Sequence, residues 1–470
     1  VSATAVAYFR DAVLQTLGIA CASLVIALLL GTPLAYLIAR GGRLARIVSF
    51  ATTIVRAIPD LVLAIVFVVA LGLGPGPAIV ALGAHYAAVI AKMFSDVAGA
   101  VRREPAEALR ATGATAGAAL LIGAVPIAWP GIVGFGVYAF ESIVRASVIV
   151  GVVGAGGIGA ALIEQLTMAD YRTFTISVVI LAVLIALIET LGTAFRLRAT
   201  PRAIAIALAT LAIGGVVALA CAPDPPWRML ATAPEHLAGY LQKAVPQFDA
   251  TIASTALSGV LQCVLVALAG TALGALFAIP FALLIAWPVA RGWIRGTGWR
   301  PASWPAEIAA RVVLTTARAV PPVAMSLIGV IVLGIGPIAG AFALTIHTAG
   351  VLGKLLAESF DVADRAPAEA LVANGATGTA ATLVALVPAA FGAMLAHTIY
   401  RFEWNVRAST ALGMVGAGGI GQAIFNAQQL LFYRQLSTYV LVAIVLVLAV
   451  DALGSRLRAG LRLERIALEG

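Results

Sequence analysis

Charge is scarce in this sequence. Only 11% of its 470 residues are Asp, Glu, Lys or Arg, less than half of the roughly 25% found in an average soluble domain, and that scarcity excludes a soluble enzyme. Cysteine is scarcer still. Cys21, Cys221 and Cys263 lie in or at the ends of apolar runs, with no Cys-x-x-Cys and no Cys/His spacing suited to zinc, so neither a metal site nor thiol chemistry is expected. A phosphate-binding loop is missing too, because Gly350-Val-Leu-Gly353-Lys354 has neither the spacing nor the hydroxyl. No nucleophile and base stand together as a membrane enzyme would need. The N-terminus lacks a basic region followed by a short apolar core and a cleavage site, so no secretory signal peptide is expected there.

What remains is apolar: 62% of the residues are hydrophobic and the mean hydropathy is +1.05. About 20 consecutive apolar residues cross a bilayer, and many such stretches alternate with short polar segments, so the chain is a polytopic membrane protein. Its net charge of +9 resides in short loops beside those stretches. That is the positive-inside pattern, not a nucleic-acid-binding patch.

The chain repeats itself. Arg56-Ala-Ile-Pro59 recurs as Arg318-Ala-Val-Pro321, an offset of 262 that also carries His85 to His347, Lys92 to Lys354, Glu107 to Glu369, Gly113 to Gly375, Pro126 to Pro388, Glu141 to Glu403 and Arg145 to Arg407. Upstream, Gln15 aligns with Gln262 and Pro33 with Pro280 at an offset of 247, so the second copy holds a 15-residue insertion. The insertion maps around Trp287, Trp293, Trp299 and Trp304, interleaved with Arg291, Arg295 and Arg300. A belt at the membrane surface accounts for it, and a docking or anionic-lipid surface is the alternative.

Copy 1 predicts spans near Val13 to Ile38, Ser49 to Leu71, Ala78 to Val97, Ala118 to Phe140 and Phe174 to Leu191. Copy 2 predicts them near Leu257 to Ala286, Ala310 to Leu333, Ile338 to Phe360, Ala380 to Tyr400 and Leu436 to Leu453. Five spans is an odd number, so direct fusion would invert the second copy, and the apolar run Ala203 to Cys221 restores its orientation. The expected fold is all-α and integral to the membrane: two parallel five-helix repeats joined by one extra transmembrane helix, about 11 spans in all. Residues 1–200 and 251–470 are the repeats, and 201–250 hold the connecting helix and an extracytoplasmic segment from Pro223 to Asp249. Arginines such as Arg40, Arg43, Arg102, Arg103, Arg196, Arg291, Arg365 and Arg456 then fall on one side, the cytoplasm. Parallel repeats imply one central pathway, the architecture of a transporter.

Gly154-x-Gly156-Gly157-x-Gly159 and its copy Gly416-x-Gly418-Gly419-x-Gly421 match a dinucleotide fingerprint in form, but apolar helical runs flank them on both sides. They fit a backbone break or a close helix approach between the fourth and fifth spans. After the third spans come Glu104-Pro-Ala-Glu107-Ala108-Leu-Arg-Ala-Thr-Gly113 and Ala366-Pro-Ala-Glu369-Ala370-Leu-Val-Ala-Asn-Gly375. Each predicts a short helix opened near Pro, with Glu in its first turn and Gly at its end. Two such helices on one side call for a partner with two equivalent grooves.

Glu-Ala-x-x-x-x-Gly followed by Pro resembles the coupling loop of ABC-importer permeases. The surrounding Arg56-Ala-Ile-Pro-Asp60, Gly334-Ile-Gly-Pro-Ile-Ala-Gly340, His347-Thr-Ala-Gly-Val-Leu-Gly-Lys-Leu355 with Glu358, and Arg407-Ala-Ser-Thr through Gly421 resemble its phosphonate-type branch. The resemblance implies two MetI-like permease units fused in tandem in a bacterial inner membrane, importing phosphonates, phosphite or related phosphorus oxyanions. It also implies two ATP-binding subunits, which hold ATP and Mg while this chain holds no cofactor and is not an enzyme, and an extracytoplasmic substrate-binding protein. Copy 2 with its preceding span has the outline of a complete unit, whereas copy 1 lacks a leading span. Leu109 and Leu371 replace the Ala of the general coupling pattern, and Thr112 against Asn374 distinguishes the two loops. An ABC permease for another small solute, such as phosphate or an amino acid, and a secondary transporter driven by an ion gradient are the alternatives.

Intramembrane charges are costly and mark candidate sites. Glu141 with Arg145 and Glu403 with Arg407 stand at i and i+4, a spacing that pairs them on one helix face. They are either neutralised structural pairs or, with Ser147 and Ser409 nearby, a substrate path in which the arginines attract an oxyanion. His85 and His347 share a helix stripe with Lys92 and Lys354, and a hydrogen-bonded buried His with a snorkelling Lys is preferred to a substrate contact. Arg56 and Arg318 are read as interface anchors near the cytoplasmic ends of the second spans.

Overall fold

The computed structural model describes residues 3–72, 74–102, 104–198, 200–220, 234–235, 238–240, 242–293 and 304–469. Arg103, Cys221, most of the Pro223 to Asp249 segment, and Arg295, Trp299 and Arg300 of the insertion lie outside these. The longer described elements are all helical, and the chain divides into two units, Val1–Val245 and Pro246–Gly470.

The first unit runs α1 (Ala3–Arg40), α2 (Arg43–Ala57), α3 (Asp60–Leu71), α4 (Pro75–Ala100), α5 (Glu104–Ala111), α6 (Ala116–Ala119), α7 (Val125–Val150), α8 (Gly157–Thr167), α9 (Tyr171–Arg198) and α10 (Pro201–Ala220). The second repeats α1 to α9 as α11 (Ala250–Trp293), α12 (Trp304–Ala319), α13 (Pro322–Leu333), α14 (Pro337–Val362), α15 (Ala366–Ala373), α16 (Gly378–Ala381), α17 (Val387–Leu412), α18 (Gly419–Gln429) and α19 (Tyr433–Glu469). Among the described residues, 8 helices are long and apolar enough to cross a membrane, or up to 10 if each of two bent pairs is one span. Arg202–Val217 is a shorter apolar helix.

Those bent pairs correct the sequence reading. The expected second spans, Ser49 to Leu71 and Ala310 to Leu333, are not continuous helices: α2 and α3 meet at 84° and α12 and α13 at 88°. Pro59 and Pro321 cause the breaks, because proline has no N–H to donate and forces the residue before it out of the helical region. Ile58 accordingly sits at φ −73°, ψ 122°. The α2 side chains Leu44, Ile47, Phe50 and Ile54 form an exposed apolar stripe at the 3–4-residue spacing of one helix face. Arg43 opens this face at the N-terminal end of the helix and Arg46 lies beside it, so α2 has the character of a helix resting in a membrane interface.

In lipid, helices gain little by burying apolar surface against one another, so close packing over small residues decides the contacts. The α1–α4 pair illustrates this. A Cβ on Gly83 would lie 2.7 Å from Ile26 Cγ2, and one on Gly31 would lie 2.7 Å from the Ala87 carbonyl oxygen. In the second unit Gly270 and Gly274 of α11 admit Leu344 and Thr348 of α14 in the same way. The connecting helix α10, which the sequence reading sets between the copies as the span preceding copy 2, packs on α1 and α7 of the first unit, with Gly215 on Cys21 and Gly136 under Leu208.

Overpacking a tight core contact costs about 1–3 kcal/mol. Gly83→Val should therefore lower the thermal stability of the detergent-solubilised protein by that order. A second substitution, Ile26→Ala, should recover most of the loss by vacating the space, and equal melting temperatures of the single and double variants would show that this contact is loose.

Candidate functional site

Each repeat builds one continuous device along its fourth span. At one end lie α5 and α15, eight residues each. Glu107, Ala108 and Gly113, like Glu369, Ala370 and Gly375, are exposed, whereas Leu109 and Leu371 are half-buried. Both helices stop identically: Gly113 (φ 92°) donates to the Arg110 carbonyl at 3.0 Å and Ala114 to the Leu109 carbonyl at 3.1 Å. Gly375 (φ 87°) donates to Val372 and Ala376 to Leu371, both at 3.0 Å. This paired bonding satisfies the last carbonyls of a helix and requires a left-handed residue, hence glycine.

These short helices rest on π-helical turns, Leu120–Ala124 and Thr382–Leu386, at the foot of α7 and α17. A Cβ on Gly123 would meet the Ala106 Cα at 2.8 Å, so α5 lies directly on the turn. At the opposite ends of α7 and α17, Gly151–Ala155 and Gly413–Ala417 form a kink, with Val153 and Gly154, and Val415 and Gly416, out of the helical region. There the chain breaks. Gly154, Gly156 and Gly157 have φ of 107°, 89° and 73°, and Gly416, Gly418 and Gly419 have 96°, 75° and 76°. Gly159 and Gly421 serve a different need: a Cβ on either would strike the carbonyl oxygen of Val148 or Thr410.

A break among apolar helices leaves N–H and C=O groups that lipid cannot satisfy, and side chains from the first helix of each repeat meet that need. Gln15 accepts from the Gly157 N–H at 2.9 Å and Gln262 from Gly419 at 2.8 Å, while Thr16 accepts from Ile158 at 2.9 Å. The loop before the third span joins in, with Gly74 donating to Gly154 at 3.0 Å and Gly336 to Gly416 at 2.8 Å. Ser147 and Ser409 are buried in the same joint and donate to the carbonyls of Thr16 (3.4 Å) and Cys263 (3.1 Å). Gln262 stands between exposed Leu261 and Leu265 on α11, so the break lies within the apolar band. Sequence reasoning used the glutamines only to align the copies; their signal was one polar side chain at the same place in two apolar runs.

The charged pairs require a correction. In the first repeat Arg145 stands 4.0 Å from Glu141 on the same helix. In the second, Glu403 and Arg407 do not pair with each other. Arg407 reaches across to Asp451 of α19, with Nη2 at 2.8 Å and 2.9 Å from the two carboxylate oxygens, and Glu403 accepts from Arg458 of α19. The i, i+4 spacing only put both groups on one face; that face is covered by α19, which supplies nearer partners. Asp451 lies within the candidate span Tyr433–Gly460. Glu141 is only 4% exposed, and its carboxylate fills the space a Cβ on Gly192 would need, just as Glu403 fills that of Gly454.

The histidine stripe does not form a unit with the lysines. His85 is half-buried, edge-on to Tyr86 at 5.3 Å, and His347 is buried and stacked on Trp404 at 5.3 Å. Lys92 pairs with Asp96 at 2.7 Å and Lys354 with Glu358 at 3.6 Å, along the helix surface.

Comparison with known proteins gives the chain's family. Residues 27–220 and 278–462 each match the family described as "Binding-protein-dependent transport system inner membrane component". The chain belongs to this family. It is the multi-pass transmembrane subunit of an ABC importer, with the permease domain present twice. The permease is 32% identical over 462 residues to the Phosphate-import permease protein PhnE of Mycolicibacterium smegmatis, covering 95% of this chain and 84% of that protein. It is 38% identical over 191 residues to the Phosphite transport system permease protein PtxC of Stutzerimonas stutzeri, covering 41% of this chain and 66% of that protein. Membership implies an ATP-binding and a substrate-binding partner.

A charged hydrogen bond is worth about 1.5–3 kcal/mol, and removing one partner strands the other. Arg407→Gln should therefore destabilise the permease by that order, and Asp451→Asn added to it should restore most of the loss. Arg145→Gln, which removes only a 4.0 Å contact to Glu141, should cost less than Arg407→Gln in the same thermal assay.

Proposed function

We propose that the chain forms the translocation pathway for phosphonate or related phosphorus oxyanions, phosphite and phosphate among them. The named substrates of its relatives support this class, and alignment with PhnE along 95% of this chain favours it over an amino acid or an ion-gradient carrier. In this reading residues 1–200 and 251–470 are parallel repeats joined through 201–250, the spans number about 11 once α10 crosses, and an extracytoplasmic binding protein delivers the anion.

The helices α5 and α15 are the coupling elements for two ATP-binding subunits, which supply ATP and Mg. The observation that carries this is their duplication: two exposed, identically terminated helices, each seated on a π turn at the foot of a fourth span. Closure of the ATP-binding subunits presses on Glu107, Ala108, Glu369 and Ala370. The π turns pass that motion to α7 and α17, whose far ends meet the glycine breaks. Those breaks act as gates, because a joint held by a few side-chain hydrogen bonds can rearrange where a continuous helix cannot.

Replacing both Glu107 and Glu369 with Lys should reduce ATP-driven uptake of methylphosphonate about tenfold or more, a barrier change of about 1.4 kcal/mol, with folded yield unchanged. Cysteines at Gly113 and Gly375 should both react only with reagents added from the cytoplasmic side. Wild-type uptake in the double variant would remove the coupling assignment, and labelling from opposite sides would remove the parallel arrangement.

A further inference from the structure

The two repeats differ in side-chain chemistry where α11, α14 and α17 of the second repeat converge. Asn405, fully buried, donates through Nδ2 to Thr271 at 2.7 Å and to Thr348 at 3.0 Å. Arg401, only 5% exposed, donates through Nε to Thr348 at 3.4 Å and lies with Cζ 3.8 Å from the Trp404 ring centre. His347 stacks on that same ring at an interplanar angle of 25°. A cation, an imidazole, an indole, an amide and two hydroxyls are thus gathered inside the bundle.

The first repeat builds the same junction from other residues. At the positions of Thr271, Thr348, Arg401, Trp404 and Asn405 it has Leu24, Tyr86, Ala139, Ser142 and Ile143, and Leu24, Tyr86, Ala139 and Ile143 are buried there. The fold therefore closes this junction without a guanidinium. Burying a charge and its polar partners is weak evidence for stability, since a well-packed apolar set often does as well, and here that apolar set exists in the same chain. Cost without structural need marks a functional group inside a membrane.

Resting on the oxyanion reading above, we infer that Arg401, with Asn405 and Trp404, forms a binding station for the transported phosphorus oxyanion that only the second repeat possesses. A guanidinium offers five N–H donors in a fork that matches two oxygens of a tetrahedral oxyanion, and the amide and hydroxyls add neutral donors. Trp404 holds the guanidinium plane by stacking. The station is closed in this structure. Thr271 also faces a half-open apolar groove of about 260 Å³ lined with Thr398, Phe402, Glu403 and Leu453, so the helix contacts on that side of the station are not closely packed.

The test copies the first repeat's own solution into the second, combining Thr271→Leu, Thr348→Tyr, Arg401→Ala, Trp404→Ser and Asn405→Ile. The full complex, with its ATP-binding and substrate-binding partners, is reconstituted in liposomes and supplied with methylphosphonate, phosphite or inorganic phosphate. The variant should fold and keep ATPase stimulation by the loaded binding protein while uptake falls at least about tenfold. Arg401→Lys, which keeps the charge and loses the fork, should retain part of the uptake with a raised KM, and Arg401→Gln should retain less. Wild-type uptake in the five-residue variant overturns the station and leaves the functional reading standing. If that variant does not fold, equal uptake by wild type, Arg401→Lys and Arg401→Gln overturns it instead. A wild-type complex that takes up none of the three anions overturns the functional reading and the station with it.

Discussion

One glutamine side chain per repeat holds the joint on which the rest of each half depends. A helix that begins inside an apolar region exposes N–H groups with no water to receive them, and Gln15 and Gln262 reach from the first helix to accept from the first residue after the glycine break. The same joint receives Gly74 or Gly336 from the loop before the third span, and Ser147 or Ser409 from the fourth. Three segments distant in sequence therefore meet over a few hydrogen bonds. Such an arrangement is specific, because each bond has one geometry, and it can switch, because few bonds need to change.

The fourth span of each repeat behaves as a rod between two irregular ends. Its middle is a 26-residue α-helix, α7 or α17; a π turn, a geometry often found at functional sites, lies at one end, and a glycine kink lies at the other. Its side is fastened to the last helix by charge in the second repeat, where Arg407 and Glu403 each find a partner on α19. Gly192 and Gly454 complete that fastening by leaving room for a carboxylate where any larger residue would collide with it.

Much of this was legible in the sequence for physical reasons that can be named. The duplication was visible because Arg56, His85, Glu141 and the glycine clusters recur at one offset, and long apolar runs report spans regardless of their neighbours. The bends at Pro59 and Pro321 were missed because hydropathy averages over a break and takes no account of direction. The partner exchange at Arg407 was missed for a related reason: helical periodicity tells which residues share a face but not which helix covers it. Asp451 did leave a trace, since it recurs as Glu189, and Gly454 recurs as Gly192. The asymmetry at Arg401 was equally present in the letters, but a search for repeats looks for what is kept, and here the information lies in what one copy changed.

Helix α10 stands between the two copies in the sequence and packs on the first, where Gly215 seats it on Cys21. A chain divided in two by a gene split would therefore have its natural seam after this helix, not before it. Fragments cut beyond Ala220 would keep each packed set intact, whereas a cut near Pro201 would strand an apolar helix on the wrong polypeptide and leave the groove along α1 open to lipid. Fusion, seen this way, does more than join two permeases: it delivers the helix that covers one half together with the half it precedes, in fixed one-to-one proportion.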